Sequence, residues 1–186
     1  MGTLAKGNLA ILDLSRLEDQ LREGNAVRDF HTLWRACSKG RMKSGCDVGG
    51  GFIRWPPLTP EAFATELETK AFTSKKADLQ AVADLYERAF TKRLAAAEEL
   101  RYQGLGWGDA EAVTLSHALH AAHEVYMLLL QDNEIGDAGV RALAASLRAG
   151  AAPKLTSIFL GRNPAGAAAV QELKEARAGL DVVGVS

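Results

Sequence analysis

The sequence predicts a mixed α/β protein in which short strand–turn–helix repeats follow an α-helical N-terminal region. Two observations indicate this class. Before about residue 96, apolar residues recur at the three- and four-residue spacing of amphipathic helices. After that point, three similar segments follow one another, and each begins with alternating apolar residues and continues with a helical pattern. We therefore expect two parts, residues 1–96 and residues 97–186.

The first part begins with two predicted helices. Ser15 and Glu18 have the spacing of a capping box, in which each side chain bonds to a free backbone amide, so a helix is expected to start there. A second helix is expected from Ala26 to about Cys37, because its apolar residues would form a single stripe.

A Gly/Pro-rich loop is predicted at about residues 38–58, because SKGRMKSGCDVGGGFIRWPPL has three consecutive glycines, two adjacent prolines and no helical period. Its cluster 52–55, Phe-Ile-Arg-Trp, either packs over the helices or inserts into a partner. Packing is favoured, since an exposed apolar cluster of this kind would promote nonspecific association of the chain. Helices are expected to restart at Thr59-Pro60, as N-cap and first helical residue, and at Ser74 as a second N-cap.

The second part contains three similar segments. They are ELRYQGLGWGDAEAVTLSHAL (first repeat, 99–119), MLLLQDNEIGDAGVRALAASL (second repeat, 127–147) and SIFLGRNPAGAAAVQELKEAR (third repeat, 157–177). Asn133 and Asn163 lie 30 residues apart. Apolar residues precede both asparagines at the same offsets and give the frame L-x-x-L-x-L-x-x-N: Val125, Leu128 and Leu130, then Leu155, Ile158 and Leu160.

This frame resembles the leucine-rich repeat, and the following I-G-D-x-G and A-L-x-x-x-L segments are similar to the ribonuclease-inhibitor-like subfamily. That subfamily includes sensor regions of NOD-like receptors and Ran GTPase-activating proteins. The resemblance implies a short solenoid and a role in protein–protein interaction. The first repeat departs from the frame at Leu105, which occupies the asparagine position, and the third at Pro164 and Ala167.

There is a physical reason for an asparagine at this position of the repeat. At the end of each strand the chain turns sharply and leaves backbone N–H and C=O groups without strand partners, which are costly to bury. An asparagine amide carries both donors and an acceptor, so Asn133 and Asn163 are expected to satisfy these groups and to stack from repeat to repeat. Gly136 and Gly166 would relieve the bend, and Asp137 is expected to cap the helix that begins near Gly139.

Leu180, Val183 and Val185 match the apolar frame once more, so a fourth strand is expected with these three in the core. A strand edge with no turn or helix behind it would be a liability unless something covered it. Two explanations stay open: the sequence is a truncated piece, or the edge docks against a partner.

The residues between the core positions would form a concave binding face. Those expected to contact a partner are Arg101, Gln103, Tyr126, Leu129, Gln131, Phe159 and Arg162, with Ser157 and Gly161 beside them. Leu129 and Phe159 share an offset, so they should lie side by side as an apolar patch with polar neighbours. The alternative is that the N-terminal helices cover this face. Asp132 and Arg162 also align and could form an ion pair of structural importance.

No residue pattern indicates catalysis, a cofactor or a metal. His117, His120 and His123 would share a helix surface, but no further ligand converges there. Cys37 and Cys46 do not have zinc-ligand spacing and are expected to be free thiols, and the glycines at 49–51 lack a P-loop motif. The net charge of −1 gives no reason to expect nucleic acid, and no apolar run is long enough for a transmembrane segment.

Three functions are compatible with the sequence. The first is a non-catalytic module that binds a protein partner, of unknown identity, through the concave face. The second is an accessory subunit held permanently in a large assembly. The third and least supported is a GTPase-activating or other enzymatic role borrowed from the family. The compartment is unknown; a soluble intracellular location is favoured, in the cytoplasm or in an organelle if a targeting peptide has been removed.

Overall fold

The computed structural model describes residues 56–69 and 77–184. Of these, residues 57–69 and 77–94 belong to one compact unit and residues 95–184 to a second. We call them the helical unit and the sheet unit and describe each by itself. The predicted helices at Ser15 and Ala26, the Gly/Pro-rich loop up to residue 55, both cysteines and the predicted N-cap Ser74 lie outside the described residues.

The helical unit contains α1 (Pro60–Glu68) and α2 (Ala77–Ala95). The N-cap predicted at Thr59 is present, because its side-chain oxygen accepts a hydrogen bond from the Ala62 amide at 3.3 Å. Pro60 is the first helical residue, where its missing N–H has no intrahelical partner to lose.

Aromatic packing joins the two helices. The rings of Phe63 on α1 and Tyr86 on α2 stack with their centroids 3.7 Å apart, and both side chains are buried. The Tyr86 hydroxyl donates a hydrogen bond to the Leu58 carbonyl at 2.8 Å. The buried hydroxyl is therefore satisfied, and it holds the entry to α1 against α2.

The sheet unit alternates four short strands with three helices. In chain order these are β1 (Glu99–Arg101), α3 (Asp109–Ala118) with a 3-10 turn after it, β2 (Met127–Leu129), α4 (Asp137–Arg148), β3 (Ser157–Phe159), α5 (Ala167–Lys174) and β4 (Asp181–Val183). The strands form one parallel sheet in the order β1-β2-β3-β4. The predicted α/β class is confirmed at this level. No described helix is long and apolar enough to cross a membrane.

The core of the sheet unit is built on the central residue of each strand. Leu100, Leu128, Ile158 and Val182 are in register across the sheet and are at most 5% exposed. Pairs of buried residues from the three helices complete this core: Ala112 and Leu115, Val140 and Leu143, Val170 and Leu173. The flanking strand residues are partly exposed, so the opposite face of the sheet, which we call the outer face, carries Leu129 and its neighbours.

The helix starts differ from the expectation for Asp137. This residue is the first residue of α4 and does not cap its own helix; its Oδ1 accepts a hydrogen bond from the Gly166 amide of the third repeat at 2.7 Å. Asp109 caps α4 instead, since its Oδ1 accepts from the Gly136 and Gly139 amides at 2.7 and 2.9 Å. Each carboxylate therefore binds an amide at the start of the next helix, where the helix dipole also favours negative charge.

The fourth strand also differs from the expectation. Val182, not Val183, pairs with Ile158 and is buried, whereas Val183 pairs with Phe159 on the outer face. Leu180 is buried as expected, but only one residue separates it from the core position of the strand, where two separate Leu155 from Ile158. The shorter spacing shifts the register by one residue and therefore exchanges the two faces. Val185 lies outside the described residues.

Candidate partner-binding surface

Two rows of side chains form the outer face, because residues before and after each central position point the same way. The first row is Glu99, Met127, Ser157 and Asp181, and the second row is Arg101, Leu129, Phe159 and Val183. Most of these side chains are half-buried, while Arg101 and Asp181 at the two edges are exposed. The structure thus brings the predicted residues Leu129 and Phe159 together as direct neighbours on adjacent strands.

The middle of this face is apolar. Leu129, Phe159 and Val183 follow one another across β2, β3 and β4, and Met127 lies two residues before Leu129 on the same face. Strands in a sheet lie about 4.8 Å apart, so these four side chains form one continuous patch, which we call the apolar patch. Sequence reasoning missed Met127 and Val183. Alternation from Leu129 could have located Met127, but Val183 depended on the shifted register of β4.

A polar network closes the β1 side of the patch. The Tyr126 hydroxyl donates a hydrogen bond to Glu99 Oε1 at 2.8 Å, and Arg101 forms an ion pair with the other carboxylate oxygen. The hydrogen bond from Tyr126, helped by Arg101, lowers the pKa of Glu99 despite some desolvation. The same bond raises the pKa of Tyr126. Tyr126 is 38% exposed, so part of its ring remains available beside the network.

The strand ends close the patch on another side. Gln131 follows Leu129 on the same face. Backbone hydrogen bonds connect this part of the chain to the repeats on both sides: the Gly104 amide donates to the Gln131 carbonyl at 3.0 Å, and the Asp132 amide donates to the Gly161 carbonyl at 2.9 Å. Gln103 is exposed, while Gln131 is partly buried and its Oε1 atom is buried with no hydrogen-bond partner among the described residues. A Cβ at Gly161 would lie 3.1 Å from the Gly184 carbonyl oxygen, so a larger residue there would require a small shift of the neighbouring backbone.

The predicted Asp132–Arg162 ion pair is present on this rim. The Arg162 guanidinium binds both carboxylate oxygens, with Nη2 2.7 Å from Oδ2. This hydrogen bonding lowers the pKa of Asp132 and raises that of Arg162. Both residues have positive φ, 61° and 57°, a backbone region unfavourable for residues other than glycine. The pair spans equivalent turns of two repeats, so Arg162 has a structural contact in addition to its place beside the patch.

Asn133 joins the first repeat to the second behind this rim. Its Oδ1 accepts hydrogen bonds from the Leu105 and Trp107 amides at 2.9 and 3.0 Å. Its Nδ2 donates to the Tyr102 and Leu130 carbonyls at 2.7 and 2.9 Å. Since Asn133 is only 6% exposed, one buried amide supplies partners to both turns.

Asn163 makes the equivalent contacts one repeat later. Its Oδ1 accepts from the Ile135 amide at 2.9 Å, and its Nδ2 donates to the Leu130 and Leu160 carbonyls at 2.8 and 3.0 Å. It is half-buried and makes one bond fewer to the preceding turn than Asn133. The two asparagines therefore form a short ladder that fixes the spacing of β1, β2 and β3.

The helical side of the sheet unit offers little chemistry within the described part of the chain. His117, His120 and His123 are exposed, and His120 Nε2 lies 3.4 Å from Ser146 Oγ. Residues 56–69 and 77–184 contain no group of three or more His, Cys, Asp or Glu side chains placed to hold a metal ion. No protein-family model matches this sequence. No curated protein shows significant similarity to it either.

Proposed function

We propose that this protein is a short leucine-rich repeat protein of the ribonuclease-inhibitor-like type and that it binds a protein partner through the outer face. The observation that carries the proposal is the apolar patch, in which Leu129 and Phe159 are direct neighbours in register. Met127 and Val183 extend the patch, and polar groups surround it. Protein interfaces commonly have this arrangement of apolar anchors inside a polar rim.

The repeat type is supported by the asparagine ladder and by the carboxylate caps between neighbouring helices. Both contacts recur one repeat apart: Asn133 and Asn163 bind equivalent backbone groups, and so do Asp109 and Asp137. Repeats that depend on their neighbours in this way build continuous, extended surfaces rather than pockets. A surface of this kind suits a protein partner better than a small molecule.

The test is a double substitution in the patch, Leu129→Asp with Phe159→Asp. Burying two new carboxylates at an interface without partners is costly, so we expect capture of the partner from a cell extract to fall at least about tenfold. The full chain is immobilised, and the captured proteins are quantified by mass spectrometry. Circular dichroism must show that the variant retains the fold.

The matched control is Val113→Asp. Val113 is an apolar residue on α3, on the helical side, and it is 37% exposed. It introduces one such carboxylate away from the outer face, so capture should stay at the wild-type level. If the double variant folds and still captures the same proteins as the wild type, the outer face is not the binding surface.

A second function, an accessory subunit within a larger assembly, is favoured by a separate observation. Among residues 95–184, β4 pairs with β3 on one side only. In a parallel pair of strands, alternate residues form their backbone hydrogen bonds to the same neighbouring strand. The Asp181 amide donates to the Thr156 carbonyl, and the Val183 carbonyl accepts from the Leu160 amide, at the two ends of β3. The backbone N–H and C=O groups of Val182 therefore point toward the opposite edge of β4. A partner strand could cover that edge permanently. The resemblance also allows an enzymatic role, but no arrangement among the described side chains favours one.

A further inference from the structure

Arg162 carries an exposed guanidinium three residues after the end of β3. Its side chain is 78% exposed, compared with 58% for Arg101 and 46% for Arg141. Its hydrogen bonds define its orientation, because Nε donates to Asp132 Oδ1 and Nη2 donates to Asp132 Oδ2. The carboxylate therefore occupies one edge of the planar guanidinium, and the side chain forms no further hydrogen bond or ion pair within the described part of the chain.

A second edge of this guanidinium is left for another anion. The guanidinium group carries its five N–H donors in one plane, so more than one edge can bind a carboxylate through two parallel hydrogen bonds. Arg141 shows how such a side chain is satisfied within this protein: its Nε binds Glu172, and its Nη2 binds Asp137. Arg162 has only the first of two such carboxylates, and its Nη1 and Nη2 edge faces away from Asp132.

The backbone of Arg162 gives an independent reason to expect a role other than stability. Its φ is 57°, in the region that favours glycine. The equivalent turn of the first repeat contains Gly104 with φ 67°, so this turn does not require a side chain. An ion pair as exposed as the one with Asp132 contributes little to stability. Residues that are kept in unfavourable backbone conformations commonly lie at functional sites.

We infer that Arg162 is a specificity-determining residue: the Nη1 and Nη2 edge of its guanidinium binds a carboxylate of the protein partner, from an Asp or Glu side chain. The inference rests on the proposed function for the existence of a protein partner, and it adds the chemistry of one contact. The Asp132 carboxylate already holds the guanidinium, so little conformational freedom is lost when the second carboxylate binds. Because Asp132 and Arg162 together carry no net charge, recognition depends on two aligned hydrogen bonds.

The experiment selects peptides from a random library displayed on phage, with the full chain as the immobilised target. Wild type should enrich peptides that contain Asp or Glu at a fixed distance from apolar residues. One selected peptide is then also made with the amide in place of its acidic residue, which gives a double-mutant cycle with Arg162→Gln. The amide peptide should bind wild type about tenfold more weakly than the acidic peptide, and both should bind the Arg162→Gln variant equally.

Further variants define what the arginine supplies. Arg162→Lys keeps the charge but lacks the planar pair of donors, so it should bind the acidic peptide more weakly than wild type. Arg162→Gly suits the positive φ, so it should keep or raise the melting temperature while it loses the preference for the acid. A merely structural arginine would change this temperature and leave the preference intact. Arg141→Gln is the matched control and should bind both peptides as wild type does, because Arg141 already binds two carboxylates.

Three results would overturn the inference. Wild type could enrich no acidic residue, the acidic peptide could bind wild type and the Arg162→Gln variant equally, or Arg162→Lys could bind it as tightly as wild type.

The proposed function is tested separately with Leu129→Asn and Phe159→Asn together, since these changes add no carboxylate near Arg162. If this double variant binds the acidic peptide as wild type does, the outer face is not the binding surface and the proposed function fails, while the arginine contact stands. If the double variant loses the peptide and the cycle with Arg162→Gln shows no coupling, the proposed function stands and the inference fails.

Discussion

At the scale of single residues, the asparagines show why one side-chain amide can replace several strand hydrogen bonds. Each strand ends in a turn whose carbonyls and amides have lost their ladder partners, and the Asn133 amide meets two donors and two acceptors there. Asp and Ser could not do this, because an ionised carboxylate only accepts and a hydroxyl has a single proton. The chemistry of the amide was predictable from the sequence. Its partners in the preceding repeat required the structure.

Replacing Asn133 with Ala should therefore be more damaging than the same change at Asn163. Asn133→Ala leaves at least two buried backbone groups unpaired, at about 1–3 kcal/mol each, so we expect a loss of about 3 kcal/mol in the free energy of unfolding. Asn163→Ala affects a half-buried turn that water can reach in part, and about 1 kcal/mol is expected. Urea unfolding followed by circular dichroism measures both. Equal losses, or a larger loss at Asn163, would contradict this account of the ladder.

At the scale of elements, each helix start in the sheet unit depends on a carboxylate, but the source of that carboxylate changes along the chain. The first repeat has no repeat before it, and Glu111 within α3 accepts from the Gly108 amide at 2.9 Å. In the later repeats the carboxylate comes from the preceding helix. Alignment of the repeats shows that Asp109 and Asp137 are equivalent. The alignment could not show which helix each aspartate caps, because that depends on how closely neighbouring helices pack in the folded structure.

Asp109→Ala should consequently weaken α4, although the substitution lies in α3. Loss of the bonds to the Gly136 and Gly139 amides should reduce the free energy of unfolding by about 1 kcal/mol, as for other N-caps. Hydrogen exchange should accelerate at Gly136 and Gly139 and stay unchanged at Gly108. Glu111→Ala is the matched control, with the reverse pattern expected. Faster exchange at Gly108 in the Asp109 variant would show that the carboxylate serves its own helix.

At the scale of the whole molecule, periodicity explains how much of the sheet unit could be predicted. The core positions expected in the second and third repeats are buried in the structure: Leu128, Leu130, Ile158 and Leu160. They were predictable because the same spacing of apolar residues occurs in both repeats. The fourth strand broke the frame: its core residue follows Ile158 by 24 residues, whereas Ile158 follows Leu128 by 30. A shorter connection changes which residue of β4 pairs with Ile158, and the spacing of apolar residues in the sequence does not reveal this change. The candidate surface was accordingly located at Leu129 and Phe159 but missed at Val183.

Within residues 95–184, β4 has a strand neighbour on one side only, and its other edge leads to a prediction about association. The strand has only three residues, its first residue Asp181 is exposed, and Gly184 directly after it has a positive φ of 83°. Short length, charge and a bend are the features that prevent edge-to-edge pairing, so the isolated chain should be a monodisperse monomer in size-exclusion chromatography with light scattering. Asp181→Val removes the charge and should produce association that grows with concentration. A wild-type chain that already associates or aggregates would contradict the free-module proposal and favour the accessory subunit, whose β4 edge requires a permanent partner.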